Sequence, residues 1–289
     1  MTSHSGWTRA HALFLLCVAM AGVSSAQVFT NLASFDGGRG ANPDSALVQG
    51  TDGNLYGTAS GGGNQGSGTI FRVAPGSTLA TLYSFCAQPN CTDGAGPAAG
   101  LVLAADGNFY GTTTVGDVRG YCDFPGCGTV FKMTSRGKLT TLHGFEGYHG
   151  DFPFAGLVQA TAGGFFGTTL YGGGGFGNVF KITAAGVVTS LYRFCVDRNC
   201  PDGAIPYAGL VQATDGDFYG TTISGGRSDC FPPDGCGTVF KITSGGELTT
   251  LHSFTVPDGI VPSGLVQASD GNFYGTTFAA RPTILGRPS

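Results

Sequence analysis

An eight-residue motif occurs five times along the chain at a nearly constant spacing. Its copies begin at residues 52, 106, 162, 215 and 270, which gives intervals of 54, 56, 53 and 55 residues. A period of this length is the mark of a repeat architecture, in which each unit is one supersecondary element. The copies are DGNLYGTA (52–59), DGNFYGTT (106–113), AGGFFGTT (162–169), DGDFYGTT (215–222) and DGNFYGTT (270–277).

Three more motifs complete the unit. ALVQ, GLVL or GLVQ precedes every copy, and four copies are followed by a phenylalanine-centred run and then a second apolar run. Such short runs, rich in β-branched and aromatic residues and bounded by Gly, Asp, Asn and Ser, are typical of strands, and Asp-Gly between two of them favours a hairpin turn. Each unit is therefore predicted to be an antiparallel meander of four strands. The first motif starts at Ala46, Gly100, Gly156, Gly209 and Gly264; the third is GTIFRV (68–73), GTVFKM (128–133), GNVFKI (177–182) and GTVFKI (237–242); the fourth is LATLYSF (79–85), LTTLHGF (139–145), VTSLYRF (188–194) and LTTLHSF (248–254).

These units predict an all-β fold, a β-propeller of five four-stranded antiparallel blades, over residues 27–280. VFTNLASF (28–35) matches a lone fourth strand, and the last unit has only a first and a second strand. We therefore expect both chain termini to close the last blade. Residues 281–289 form an irregular tail without a GTVFKI counterpart, so the last blade has three strands, is completed irregularly, or reflects a truncated reading frame.

The irregular segments should all lie on one side of the blades, which we call the loop face. In a four-strand meander, the connection between strands two and three and the linker to the next unit emerge on the same side. Binding residues tend to gather in such loops. The candidate ligand contacts are Tyr121, Phe124, Phe152, Tyr207 and Phe231, although these rings could equally pack the loops.

The N-terminus has the features of an export signal. Arg9 precedes the apolar run AHALFLLCVAMAGV, and SSA follows, which predicts a signal peptide over residues 1–26 with cleavage near Ala26. The mature protein is then secreted, on the cell surface or periplasmic, and no later segment is long and apolar enough to span a membrane. With 11% charged residues, a net charge of -4 and no basic patch, nucleic acid is not an expected partner.

Eight cysteines follow the signal segment in four close pairs. An exported protein favours local disulfides over a structural zinc site, because CxxxxC is wider than the usual zinc spacing. Pairing between neighbouring loops, such as Cys91 with Cys122, is the alternative. The expected pairs are Cys86/Cys91, Cys122/Cys127, Cys195/Cys200 and Cys230/Cys236.

The acidic turns and linkers favour structural roles, and we expect no metal and no cofactor. The Asp-Gly-Asn turns lack the alternating oxygen ligands and the distant Glu of a calcium loop. The linker aspartates Asp93, Asp202 and Asp258 lie in a DGxxPxxG pattern whose proline fixes the entry to the next strand. The turn residues that calcium could use are Asp106, Asn108, Asp215, Asp217, Asp270 and Asn272.

Two functions fit this sequence. The first is a non-enzymatic extracellular propeller that binds an unknown ligand, a carbohydrate or a protein, on its loop face. The alternative is a polysaccharide-acting enzyme, a glycosidase or lyase, that uses the loop acids Asp123, Asp229 and Asp234. Glycoside hydrolysis needs two convergent carboxyl groups, and no such pair stands out in the motifs.

The combination of GLVQATDGDFYGTT (209–222), GTVFKIT (237–243) and LTTLHSF (248–254) closely resembles the bacterial GloVer (Gloeo_Verruco) tandem repeat. The resemblance covers residues 28–278. It implies an exported bacterial repeat protein, in some members with a C-terminal surface anchor, for which Arg281–Ser289 offers no sorting signal. The resemblance supports the architecture and leaves the function open.

Overall fold

A computed structural model describes residues 31–76, 78–116, 126–147, 149–172, 174–197, 199–227, 230 and 235–279. The chain divides into two compact units, residues 1–32 and 33–289. All the strands below belong to the second unit. The predicted signal peptide and the predicted irregular tail lie outside the described residues.

The described residues of the second unit form four four-stranded antiparallel sheets and one two-stranded sheet, which confirms the all-β meander. In each complete sheet the strands pair in chain order, and the first strand is only two residues long. The sheets are β1 Val48–Gln49, β2 Leu55–Ala59, β3 Thr69–Ala74, β4 Thr78–Ser84; β5 Val102–Leu103, β6 Phe109–Thr113, β7 Thr129–Met133, β8 Leu139–Gly144; β9 Val158–Gln159, β10 Phe165–Thr169, β11 Asn178–Ile182, β12 Val188–Arg193; β13 Val211–Gln212, β14 Phe218–Thr222, β15 Thr238–Ile242, β16 Leu248–Ser253; and β17 Ile260–Gln267 with β18 Phe273–Ala279.

The same register recurs in every complete sheet. The glycine of the second strand lies opposite the phenylalanine of the third, as in Gly111 and Phe131. A Cβ atom on Gly111 would lie 2.6 Å from Cζ of Phe131 and 3.1 Å from Cδ2 of Leu101. The glycine of the eight-residue motif therefore makes room for a ring that lies across the sheet. The equivalent pairs are Gly57 with Phe71, Gly167 with Phe180 and Gly220 with Phe240.

Aromatic side chains fill the space between successive sheets. One layer joins the second strands of neighbouring sheets, with ring centroids 4.0–4.2 Å apart, and another joins a fourth strand to the next third strand at 5.1–5.3 Å. Such pairs add favourable ring contacts to the buried apolar area. The pairs are Tyr56–Phe109, Tyr110–Phe165, Phe166–Phe218 and Tyr219–Phe273 in the first layer, and Phe85–Phe131, Phe145–Phe180 and Phe194–Phe240 in the second.

Hydrogen bonds also tie each sheet to the next. The hydroxyl of Thr112, in the motif's first threonine position, donates to the carbonyl of Ala155 at the entry of the following sheet, at 3.0 Å. The side chain of Gln159 in the first strand accepts from the backbone amide of Ala105 in the preceding sheet, at 3.2 Å. Equivalent bonds join Thr58 to Ala99, Thr168 to Ala208, Thr221 to Ser263, Thr161 to Gln212, and Thr214 to Gln267.

The N-terminal segment takes the place expected of it only in part. Residues 31–35 form no strand, contrary to the prediction of a fourth strand there. The ring of Phe35 nevertheless packs edge-on against Phe71, with centroids 4.9 Å apart. This is the contact that a fourth-strand phenylalanine makes with the following sheet elsewhere in the chain.

The described disulfides join the near pairs Cys86–Cys91, Cys195–Cys200 and Cys230–Cys236. Cys127 is also disulfide-bonded, and its expected partner Cys122 lies outside the described residues. Pairing of Cys91 with Cys122 is therefore wrong, since Cys91 is bonded to Cys86. Within the described part of the chain, no helix has the length and apolar character that crossing a membrane requires.

Candidate functional site

The carboxylates in the turns of the eight-residue motif accept hydrogen bonds from groups of the same motif. Asp215 accepts hydrogen bonds from the Asp217 amide at 3.1 Å and from the Tyr219 hydroxyl at 2.7 Å. Donation by Tyr219 holds the pKa of Asp215 below its ordinary value. Asp52, Asp106 and Asp270 make the same bonds in their turns. The geometry is that of a hydrogen-bonded hairpin turn.

The linker aspartates bind their linkers to the preceding strand. Asp93 is buried and accepts from the Tyr83 hydroxyl at 2.8 Å and from the Ala87 amide at 2.9 Å. Asp202 accepts from the Tyr192 hydroxyl at 2.9 Å and from an amide in its own linker. Each carboxylate thus ties a linker to the aromatic side chain of the fourth strand before it. Asp258 does the same with His252, at 2.8 Å.

The residue before each linker proline adopts a left-handed backbone conformation. Phe152 has a φ of 54°, and Ile205 one of 57°. Such a conformation costs on the order of 1–3 kcal/mol for a residue other than glycine and persists only where the surroundings impose it. Asn42, Gly96 and Val261 share the conformation, so it recurs in all five linkers, and only Gly96 adopts it without strain.

Five aromatic residues gather on the loops around the third sheet, and we call them the aromatic patch: Phe152, Phe154, Tyr171, Phe176 and Tyr207. Phe152 packs edge-on against Tyr171 at 6.0 Å, and Phe154 lies against Tyr207 at 4.5 Å with 32° between the ring planes. Tyr171, Phe176 and Tyr207 are 43%, 42% and 43% exposed. Pro153 lies between Phe152 and Phe154, so one linker contributes a ring to each pair.

Backbone hydrogen bonds fix the patch to the third sheet. The amide of Tyr171 donates to the carbonyl of Asp151 at 3.1 Å, and the Asp151 amide donates back at 2.9 Å. The amide of Ile205 donates to the carbonyl of Phe176 at 2.9 Å, which joins the loop of the third sheet to the next linker. These bonds fix the backbone that carries the patch, so ligand binding does not have to order it.

Asp151 is the unusual polar group of this region. Its backbone bridge to Tyr171 is made elsewhere by an alanine, at Ala41, Ala95 and Ala204. Its Oδ1 atom is buried without a hydrogen-bond partner, and burial raises the pKa of the carboxyl group. Asp151 is therefore a buried polar group that the packing of its linker leaves unsatisfied.

We expect Asp151→Ala to stabilise the protein at neutral pH by about 1 kcal/mol, at the lower end of the cost of an unsatisfied buried polar group. Burial raises the pKa of Asp151 in the folded state above its unfolded value of about 3.8. Below that pH the carboxyl group is protonated in both states and costs no stability, and the cost appears as the pH rises through the folded-state pKa. The stability gained by Asp151→Ala should therefore vanish in acid. Urea unfolding across this pH range measures it, with the exposed Asp44→Ala as control; a gain that does not change with pH would contradict the assignment.

The structure places two of the five candidate contacts in the patch. Phe152 and Tyr207 both belong to it, one in each ring pair, while Tyr121, Phe124 and Phe231 lie outside the described residues. The acids of the enzymatic alternative, Asp123, Asp229 and Asp234, lie outside them as well.

Sequence reasoning missed Phe154, Tyr171, Phe176 and Asp151. A signal existed for Phe154, because Pro153-Phe154-Ala155-Gly156 aligns with Pro206-Tyr207-Ala208-Gly209. Alignment of the linkers also shows an acid at 151 where three other linkers have alanine and the last has Ile260. Tyr171 and Phe176 belong to a glycine-rich loop whose sequence does not align with the corresponding loops of the other units.

Three solved structures show what the fold is similar to. A luciferin-regenerating enzyme matches with a TM-score of 0.51 at 11% identity, over 84% of this chain and 74% of that one. A gluconolactonase-like protein matches at 0.49 and 17% identity, over 80% and 70% of the two chains. An endo-arabinase from Bacteroides thetaiotaomicron matches at 0.40 and 15% identity, over 81% and 87%. The first likeness supports a propeller-like fold and says nothing of activity.

No curated protein matches the chain. The sequence pattern of one repeat family, in contrast, matches residues 18–232, which is well over half of the length. This agrees with the recurring motifs and with the repeated sheet geometry described above. The chain therefore belongs to the Gloeobacter/Verrucomicrobia repeat family.

Proposed function

We propose that the protein is a non-enzymatic binding protein that acts outside the cytoplasm and contacts its ligand through the aromatic patch. The observation that carries this proposal is the set of three rings that remain more than two-fifths exposed, two on the β10–β11 loop and one on the linker that follows β12. Exposed apolar side chains that gather in one region mark an interaction site. At the position of Phe154 and Tyr207, the first two linkers have Asp44 and Ala98, so the rings belong to this region rather than to the repeat.

The chemistry of the patch favours a carbohydrate chain. Its rings offer flat apolar faces, and the exposed Tyr171 and Tyr207 also carry hydroxyl groups that can donate and accept hydrogen bonds. Binding sites commonly combine such apolar walls with a few polar groups that orient the ligand. A sugar polymer has both apolar C–H faces and hydroxyl donors, which match these two features.

The proposal also includes export of the protein and closure of the last blade by both chain termini. Residues 1–26 act as a signal peptide, and the described disulfides suit an oxidising compartment. Residues 27–280 form one propeller domain, in which residues near Phe35 take the fourth-strand place of the last blade. The packing of Phe35 on Phe71 supports this closure.

A glycan array tests the proposal with the mature chain and a Tyr171→Ala/Tyr207→Ala variant. We expect the wild type to bind a polysaccharide and the variant to bind it at least about 10-fold more weakly, since buried aromatic anchors commonly account for more than 1.4 kcal/mol of binding. Val187→Ala, which removes an exposed apolar side chain at the β11–β12 turn, is the matched control and should bind normally.

Two results would refute this function. One is binding that the double variant leaves unchanged. The other is cleavage of the bound polysaccharide with loss of turnover in Asp151→Asn, which would assign the site to an enzyme. Binding only to a protein partner, with no glycan retained, would refute the carbohydrate assignment.

A further inference from the structure

The described disulfides are of two kinds. Cys86–Cys91 lies in the linker that follows β4, and Cys195–Cys200 lies in the linker that follows β12. All four of these cysteines are partly exposed. The third disulfide, Cys230–Cys236, belongs to the β14–β15 loop, and its cysteines are only 2% and 1% exposed. The two linker disulfides are therefore open to a reagent in solution, and the loop disulfide is buried.

The first cysteine of each linker disulfide has a backbone conformation that its position does not otherwise require. Cys86 has a φ of 61° and Cys195 one of 59°. Each directly follows the phenylalanine that ends the fourth-strand motif. In the other linkers Asp36, Glu146 and Thr255 hold this place, and none of them has a positive φ. Such a φ strains a residue other than glycine, so the disulfide rather than the linker imposes the strain.

The second cysteine is strained because it replaces a glycine. Cys91 and Cys200 have φ values of 50° and 45°, and each carbonyl accepts a hydrogen bond from the linker glycine three residues later. In two linkers without cysteine the same bond is accepted by Gly37 and Gly147, with φ values of 79° and 77°. Glycine adopts this conformation without steric cost. Each linker disulfide therefore holds two strained residues, one of which can relax once the bond is broken.

We propose that Cys86–Cys91 and Cys195–Cys200 are redox-modification sites, which a dithiol reduces while Cys230–Cys236 stays oxidised. Strained and exposed disulfides are the labile ones, and neither Cys230 nor Cys236 has a positive φ. One thiolate of the reductant attacks a linker sulfur and forms a mixed disulfide, which the second thiol of the reductant then resolves. The dithiol supplies two electrons and two protons and leaves as a disulfide, and the protein gains two thiols.

Reduction of Cys195–Cys200 releases the linker that carries Tyr207. The Cys195 amide donates to the carboxylate of Asp202 at 3.0 Å, and the Cys200 carbonyl accepts from the Gly203 amide at 3.0 Å. Both bonds use backbone groups whose direction the disulfide fixes. When Cys195 relaxes to an ordinary φ, its amide turns away from Asp202. A resulting loss of ligand affinity rests on the proposed function, whereas the reduction and the release of the linker do not.

Alkylation at redox equilibrium tests the assignment. The mature protein is equilibrated in mixtures of reduced and oxidised dithiothreitol, and peptide mass spectrometry counts the thiols that have been alkylated. Equilibrium is used so that access to the bond does not decide the result. We expect both linker disulfides to be half reduced at a ratio about 10-fold or more lower than Cys230–Cys236, the factor that relaxation of one strained residue provides. Equal ratios, or earlier reduction of Cys230–Cys236, would overturn the proposal.

Hydrogen–deuterium exchange without a ligand tests the release of the linker. In protein reduced only at the linkers, the amides at 203–207 should exchange faster, and those at 149–152, whose linker has no cysteine, should not change. Cys195→Ser/Cys200→Ser should show the same faster exchange without reductant. The matched control is Cys86→Ser/Cys91→Ser, which should leave 203–207 as in the wild type. Unchanged exchange at 203–207 after reduction and in the first variant would refute the release, whatever the glycan array shows.

Discussion

Replacing Phe180 with alanine should destabilise the protein by about 3–5 kcal/mol, the range for removing a buried phenylalanine. Phe180 is fully buried, its ring packs against Phe145 at 5.2 Å, and it lies over Gly167. Its loss opens a cavity between two sheets where the backbone on both sides is held by strand pairing. Because the folded state of a domain is stable by only about 5–15 kcal/mol, this change removes a large share. Urea unfolding followed by circular dichroism measures it.

The matched control is Phe176→Ala, four residues away in the loop between β10 and β11. Phe176 is 42% exposed and belongs to the aromatic patch, so we expect less than about 1 kcal/mol of destabilisation, as for most surface changes. Equal losses for the two variants would contradict the layer of rings between sheets as the source of stability.

Gly111→Ala should destabilise the protein by about 1–3 kcal/mol, the usual cost of forcing an extra carbon into a packed core. The backbone of Gly111 does not need a left-handed conformation, so the reason is space alone. The new Cβ would lie 2.6 Å from the ring of Phe131 and 3.1 Å from Leu101. Both neighbours are buried and cannot move without disturbing the next sheet.

A second substitution separates crowding from other causes. Phe131→Leu shortens the side chain that the new methyl group meets, so the double variant should be less destabilised than the sum of the two single variants. Gly245→Ala, where the nearest atom is the Thr243 hydroxyl at 3.7 Å, should change stability little. Simple additivity of Gly111→Ala and Phe131→Leu would contradict the close approach of these two residues.

The repeat made most of the fold predictable. Each copy of the motif carries the same glycine, and each GTVFKI run the same phenylalanine, so the strand order and the four-strand sheets followed from the spacing. The local disulfides followed from the close pairing of cysteines such as Cys195 and Cys200. Such features depend on residues that are close in the sequence, and the same residues recur in every copy of the repeat.

The last sheet departs from the repeat for a reason that is visible only after alignment. Its first strand, β17, has eight residues where the others have two. The last linker has one residue between Pro262 and Gly264, and the others have two at this point, as between Pro153 and Gly156. The shorter linker continues directly into the strand, and the register shifts between Pro262 and Leu265.

The site was less predictable than the fold, because it depends on differences between units. Phe152 and Tyr207 stood out as aromatic residues in irregular loops, but the contact of Tyr207 with Phe154 crosses from one linker to the next. The burial of Asp151 likewise results from packing between its linker and the loop at Tyr171. Neither contact has a sequence spacing that repeats.

Hydrogen–deuterium exchange with the bound polysaccharide tests the central claim most directly, since it maps the ligand onto one side of the blades. We expect slower exchange in the linkers at 149–155 and 203–209 and in the loop at 170–172, with no change at the turns at 106–108 and 215–217. Protection confined to those turns, or spread evenly over all five units, would contradict the aromatic patch as the binding site.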